Sequence, residues 1–420
     1  MKRILLRAFC FLVVSVSPLV GFAQWNEALF QNSSKDKYSV GAYVNGDFGS
    51  NCITNQFAGN LLFGNYIDDK LKQQVVKNLQ PSGNRLGLML DYGAYIVFHN
   101  DTIKKKRIFN IFYALRHKTY FNTTFSPDLF KVAFYGNAMY AGRTADFSSF
   151  SLNSLTYQQA EVGFVCTNFG GSAQLGMGIS FLSGSQMISI NARSASLYTE
   201  QTGQYLVFSS DAQFQQSDTA ASARRMVNGY GASLDLFFRA PYKIGKKTGN
   251  ISMSVSGLGF IYWNNKSINY QKDTSYLYSG ITINSLTDLQ NASFNSLKKD
   301  SLQQKYLPFK KTAFYSTIPT LLTVNTNTNM GKWRLELGLN YFFNGNSVGY
   351  GYVQGDKPIG KNWSAGIQLG YGGYVTYNSA FIVTRQMPKS SLKICVNHLQ
   401  GVISNYFGGA GVYAEYSHVL

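Results

Sequence analysis

The side chains in this chain that could do chemistry are few and scattered. The four histidines, His99, His117, His398 and His418, stand far apart, and none has a second ligand at metal-binding spacing. The glycine pairs Gly170-Gly171 and Gly408-Gly409 lack the following Lys-Ser/Thr of a phosphate loop and read as turns or bulges. With no acid/base pair or nucleophile set recognisable, the chain does not read as an enzyme, and no cofactor or metal is expected. The informative charges lie inside segments that otherwise alternate apolar and small residues. They are Asp91, Lys131, Glu161, Asp235, Arg239, Lys332, Arg334, Glu336 and Glu415. Charges on the small-residue face of such segments suit a polar interior. There they either line a pore and set ion selectivity, or form ion-paired filling. The run Lys332, Arg334, Glu336 on one strand favours mutual pairing.

The elements that would position these residues are strands. From Trp333 to Phe343 the odd positions read Trp, Leu, Leu, Leu, Tyr, Phe, against Arg334, Glu336, Gly338, Asn340 and Phe342. Leu86–Ile96, Ala173–Phe181, Tyr230–Phe238 and Trp363–Tyr371 alternate in the same way. Successive strand side chains point to opposite faces, so each segment has one apolar and one polar or small face. In Ile251–Tyr262 the phase flips near Gly257 and Gly259, which predicts a β-bulge.

Composition separates the two architectures that use such strands, a soluble β-sandwich and an outer-membrane barrel. The chain has 29 Tyr, 31 Phe and 4 Trp, which together outnumber its 38 Lys and Arg plus 20 Asp and Glu. A soluble domain is about 25% charged; this chain is 14%. The alternating segments run about 9–12 residues, the length of a tilted membrane strand, and aromatics sit at their ends, as in membrane-interface girdles. A charge facing lipid at mid-depth costs about 2–4 kcal/mol for Arg or Lys, so the charged face belongs to the lumen. The expected fold is all-β: a transmembrane antiparallel outer-membrane β-barrel of about fourteen strands, with short helical N-terminal and loop segments. Val412, Ala414, Tyr416, His418 and Leu420 alternate to the last residue, as a closing strand would.

Residues 1–23 read as a secretory signal. Lys2, Arg3 and Arg7 precede the apolar stretch Phe9–Val20, and Gly21-Phe22-Ala23 supplies the cleavage pattern. Loss of those three cations lowers the net charge from +18 to +15. Export leaves nucleic acid a poor partner. The basic clusters at 104–107, 224–225, 246–247, 298–299 and 310–311 read as solvated turns facing anionic headgroups. Cys52, Cys166 and Cys395 are too few for a disulfide framework. Residues 24–83 form an N-terminal segment, with a possible first strand over 38–48 and a helix over 68–79 capped by Asp68 or Asp69. The barrel proper is assigned to 84–420. Its polar insertion, 264–313, carries Leu286, Leu289, Phe294, Leu297 and Leu302 at roughly helical spacing.

With that pattern in place, the chain resembles a family of uncharacterised outer-membrane β-barrels from Bacteroidota. The resemblance is carried by Phe125-Ser-Pro-Asp-Leu-Phe130, Phe134-Tyr-Gly-Asn137, Gly142, Tyr157-Gln-Gln-Ala-Glu-Val-Gly163, Gly176-Met-Gly-Ile-Ser-Phe-Leu-Ser-Gly184, Ile318-Pro319 and Gly408-Gly-Ala-Gly411. That family is distantly similar to fatty-acid-transporter-like barrels and to accessory barrels of type IX secretion and gliding. The resemblance implies an outer-membrane location and lipid and lipopolysaccharide as surroundings. Two functions are expected. The first is a structural or accessory component of an envelope secretion or assembly complex with protein partners. The second is a passive or substrate-specific channel for a small or hydrophobic solute, with the N-terminal segment as plug.

Overall fold

A computed structural model describes residues 29, 38–99, 108–169, 172–218, 227–245, 247–279 and 311–420. The proposed signal and the leucine spacing over 286–302 lie outside these residues. The chain is all-β and closes into a 14-stranded antiparallel barrel. The first wall strands are β1 (Tyr38–Ser50), β2 (Asn84–Phe98), β3 (Ile108–Phe125) and β5 (Ser151–Phe169). After the short β4 (Arg143–Asp146), which lies off the wall, come β6 (Ala173–Thr199), β8 (Gly229–Ile244) and β9 (Lys247–Trp263). The wall continues through β12 (Thr320–Met330), β13 (Trp333–Phe343), β14 (Val348–Pro358), β15 (Trp363–Gly373), β16 (Tyr377–Gln386), β17 (Ser390–Asn397) and β18 (Ala410–Val419). Closure is made by β1, which pairs with β2 on one side and β18 on the other. Tyr38–Ser50 is therefore a wall strand, and the wall extends upstream of residue 84.

The two rims differ. At the rim holding Tyr38 and Val419, the near end, connections are short; Gly331 and Lys332 alone join β12 to β13. At the far end the connections after β1, β3, β9 and β17 are long, although β13–β14 and β15–β16 are tight turns, the asymmetry of barrels whose long loops face outward. Three helices pack there: α1 (Asn55–Phe63), α2 (Asp69–Asn78) and α3 (Pro127–Tyr135). The Asp68 side chain accepts from Leu71 N at 2.8 Å, satisfying a free amide of the first turn of α2. Leu71 and Val75, one turn apart, bury the same face with Phe57 of α1 and Phe130 of α3. Lys131 lies in α3 and not on a wall strand, so the assignment of Lys131 to the lumen is corrected. Ser126 caps that helix through Leu129 N at 3.1 Å, and Pro127 and Asp128 occupy its first turn.

The sheet also extends beyond the barrel wall. The far half of β6 leaves β8 at Gly184 and pairs instead with β7 (Leu206–Gln216), which pairs with β10 (Ile268–Tyr278). β4 pairs with the end of β6 on its other side. Part of the 264–313 segment is therefore strand.

The phase flip in β9 is a bulge. Register shifts between Leu234 and Leu236, and Gly257 takes φ 79°, a conformation open to glycine at little cost. Its N–H donates to Asp235 Oδ1 at 2.7 Å, and its carbonyl accepts from Thr320 Oγ1 at 2.9 Å. On the other edge of β9, pairing passes from β12 to β11 (Phe314–Thr317) across Ile318 and Pro319. Proline fits this break because it has no N–H to pair.

The outward face is apolar. Leu115, Ile179, Leu337 and Ile367 are each more than half exposed. Aromatics flank this band at both rims. Toward the far end Tyr371 packs on Tyr377 and Tyr262 on Tyr315. At the near end Lys357 lies over Trp333 and Arg385 over Trp363, at 5.5 and 5.1 Å from the ring centres. A closed barrel with an apolar belt between two aromatic girdles is built for lipid, and the protein is an outer-membrane barrel.

Candidate functional site

The lumen is the one feature on which most of the sequence-selected charges converge, and its two halves are built differently. Over β2, β3, β5 and β8 the inner wall carries an ion-pair belt. Arg116 pairs directly with Glu161, and its Nη1 lies 3.5 Å from Asp235 Oδ2. All three side chains are almost completely buried. Beside them Lys118 Nζ is 3.8 Å from Asp91 Oδ2, and Tyr43 Oη donates to Asp91 Oδ1 at 2.8 Å. Small neighbours make room: a Cβ on Gly178 would stand 2.1 Å from Glu161 Oε1. Buried charges need such partners, because an unpaired one is strongly destabilising.

Over β13 to β18 hydroxyl and carboxamide donors do much of the same work. Tyr352 Oη donates to Glu336 Oε1 at 2.8 Å, while Arg334 Nη2 lies 3.7 Å from Glu336. Tyr95 and Tyr413 donate to the two oxygens of Glu415 at 2.8 and 2.6 Å. Gln354 Nε2 donates to Asp356 at 2.8 Å. Tyr350 Oη accepts from Gln368 and Asn378. Gly338 lets the Tyr352 ring lie flat on the wall, since a Cβ there would meet the ring at 2.2 Å.

Three cavities succeed one another through the lumen, and residues of both halves line the middle one. A vestibule of about 600 Å³ at the near end is lined by Lys332, Arg334, Glu336, Asp356, Lys393 and Glu415, among others. A cavity of about 140 Å³ at mid-lumen is lined by Asn45, Asp91, Arg116, Arg239, Asn340 and Phe342, among others. The two share Gln354, Ile382 and Lys393 in their linings. A third space of about 30 Å³, toward the far end, shares Asn340, Phe342 and Asn397 with the second. There His398 Nε2 meets Asp47 Oδ1 at 2.8 Å, and the His398 amide donates to Asn378 Oδ1 at 2.8 Å. The residue upstream of β1 that is described, Leu29, is fully buried in a cluster with Tyr43, Tyr95, Phe112 and Phe237.

The sequence-selected residues thus fall into three sets. Asp91, Glu161 and Asp235 are ion-pair carboxylates. Arg239 lines the mid-lumen cavity, while Lys332, Arg334, Glu336 and Glu415 line the vestibule. Lys131 is elsewhere. Arg116 and Lys118 join the others in the lumen, and the signal for both is their spacing, two apart on one strand face. Lys393 lines the lumen as well, and the tyrosine hydroxyls there carry no charge that would mark them in the sequence. Gly345-Asn-Ser-Val-Gly349 has the spacing of a nucleophile elbow. It forms the hairpin between β13 and β14 and lacks the strand-to-helix turn such an elbow requires.

No curated protein matches the chain. Among solved structures, a deletion mutant of the monoaromatic hydrocarbon channel TodX is 8% identical over 96% of both chains, with a TM-score of 0.43. The Pseudomonas putida toluene transporter TodX is 9% identical over 96% of this chain and 95% of its own, with a TM-score of 0.39. A Pseudomonas aeruginosa FadL homologue is 10% identical over 95% and 94%, also with a TM-score of 0.39. Residues 32–394 match the model described as "Family of unknown function (DUF5723)", and the chain belongs to that family.

Proposed function

We propose that this barrel is an outer-membrane channel for a small solute. The observation that carries the reading is the run of three cavities through the lumen, each sharing lining residues with the next. A barrel whose lumen served only as filling would need no such run, and Asp91, Arg116 and Lys118 of the ion-pair belt themselves border the middle cavity. In this reading the solute enters or leaves through the near-end vestibule and passes Gln354, Ile382 and Lys393. The His398–Asp47 contact stands at the far end of the path. Leu29, buried among lumen aromatics, supports a role for the preceding segment as a plug. The test is conductance: mature protein in planar bilayers gives stepwise current. Silence at high protein loading refutes the reading.

The alternative, an envelope-assembly component, draws on the sheet β4–β6–β7–β10, which stands outside the wall and offers a surface to a protein partner. Gentle extraction and affinity purification bring down stoichiometric partners under this reading, and a clean monomer counts against it.

A further inference from the structure

The mid-lumen cavity has an unusual polar inventory. Asn45 is 1% exposed and lines the cavity, yet neither its carboxamide nitrogen nor its oxygen finds a hydrogen-bond partner among the described residues. Asn340, on the facing strand β13, is 5% exposed, and its side-chain oxygen is likewise unpartnered. Buried polar groups are almost always paired in native proteins, and leaving one unmade costs the full desolvation of that group. Two such carboxamides bordering one cavity are donors and acceptors held ready for something that enters it.

The rest of the lining says what that is. Met89, Tyr120 and Phe342 belong to one buried cluster and border the same cavity, with Phe342 set edge-on to Tyr120 at 6.0 Å between centres. They present an apolar face beside the two amides. The charges bordering the cavity are one carboxylate, Asp91, and four cations, Arg116, Lys118, Arg239 and Lys393; Asp91, Arg116 and Lys118 already have opposite-sign partners. A cation would meet an excess of like charge, and a carboxylate has no proton to donate to the unpartnered oxygens of Asn45 and Asn340. The size is also restrictive: a cavity of about 150 Å³ holds a benzene ring, and this one is about 140 Å³.

We propose that the mid-lumen cavity binds a neutral, ring-sized solute carrying a group that both donates and accepts hydrogen bonds. Asn45 and Asn340 engage that group, and Met89, Tyr120 and Phe342 take the ring. The proposal deepens the channel reading and rests on it for its biological meaning, although the binding itself is measured separately.

Four ring probes of similar size test it: benzamide, benzoate, benzylamine and toluene. Each is titrated by calorimetry into the full mature protein in detergent. Benzamide binds, and benzoate, benzylammonium and toluene bind at least tenfold more weakly. Asn340→Leu and Asn45→Leu, shown to be folded by heat-modifiable mobility, each weaken benzamide about tenfold and narrow its advantage over toluene. Toluene binding as well as benzamide, preference for either charged probe, or no benzamide binding to wild type overturns the proposal. These outcomes need no variant, so a misfolded mutant leaves the test intact. Bilayer conductance of the same preparation separates the two ideas. Current without benzamide binding removes the site and keeps the channel, whereas binding without current does the reverse.

Discussion

Arg116→Met is the perturbation that most directly probes how the lumen is built. The substitution keeps most of the side-chain stem and removes the guanidinium. What it leaves behind sets the size of the effect. Glu161 and Asp235 have no exposed side-chain surface, and each loses its ion pair with Arg116. Asp235 keeps one donor, the Gly257 amide at 2.7 Å. Glu161 loses the contact that offsets its burial. Removing one partner from a buried ion pair costs about 3–5 kcal/mol, and here two carboxylates share the loss. The lost packing is small by comparison, since Met fills much of the same volume and such swaps cost under about 1.5 kcal/mol. Guanidinium unfolding of vesicle-embedded protein, followed by tryptophan fluorescence, reads the change. The companion variant Arg116→Met/Glu161→Gln/Asp235→Asn removes the charges on both sides and recovers most of the loss. A single variant within about 1 kcal/mol of wild type, below the cost of any buried pair, refutes the belt as a stabilising unit. So does a triple variant no more stable than the single.

Other consequences are simpler to check. Cys395 lines the mid-lumen cavity, whereas Cys52 is enclosed in the far-end helical core. A charged methanethiosulfonate should therefore lower the current through Cys395, be silent on Cys395→Ser, and leave Cys52 unmodified until unfolding; labelling of native Cys52 contradicts the packing of α1 to α3. Ile382→Trp fills the junction between vestibule and mid-lumen cavity and lowers single-channel conductance several-fold, with unchanged conductance placing the path elsewhere. Gly257→Ala forces φ 79° on a residue with a Cβ 2.9 Å from the Pro319 oxygen. It destabilises the barrel by about 1–3 kcal/mol, and a neutral effect in the same unfolding assay rules out the strained bulge.

Much of the wall was legible because strand geometry writes itself into the sequence at period two. Trp333–Phe343 alternates without a break and forms β13 over the same residues. The phase flip in β9 was legible for the same reason, since an extra residue must move the apolar set to the other face. Lys131 misled because Phe130, Val132 and Phe134 also alternate. The better signal stood just upstream: Ser126-Pro127-Asp128 is a helix start, and Phe130 and Phe134 meet across one turn of α3, 4.6 Å between ring centres. β10 escaped for a different cause. Its residues include Gln271, Asp273 and Ser275 against Tyr270, Lys272 and Thr274, so neither face is apolar. A strand in a sheet outside the membrane has no lipid side to mark it.

The charges in the lumen show where this kind of legibility ends. Polarity alone placed Asp91 and Glu336 on the inner face alike, and both are buried there. Their functions diverge through partners set by barrel register. Asp91 faces Lys118 across the β2–β3 ladder, within the ion-pair belt. Glu336 takes a tyrosine hydroxyl from β14 and opens onto the vestibule. Arg116 reaches carboxylates on two other strands, a pairing fixed only once the sheet has closed. A hydroxyl that satisfies a carboxylate is neutral, so Tyr352, Tyr95 and Tyr413 give Glu336 and Glu415 donors without adding charge. The mid-lumen cavity lies where the two arrangements meet, bordered by Asp91, Arg116 and Lys118 on one side and by Tyr352 and Gln354 on the other. The high tyrosine content therefore has two causes, girdles outside and carboxylate donors inside, and only the first follows from alternation.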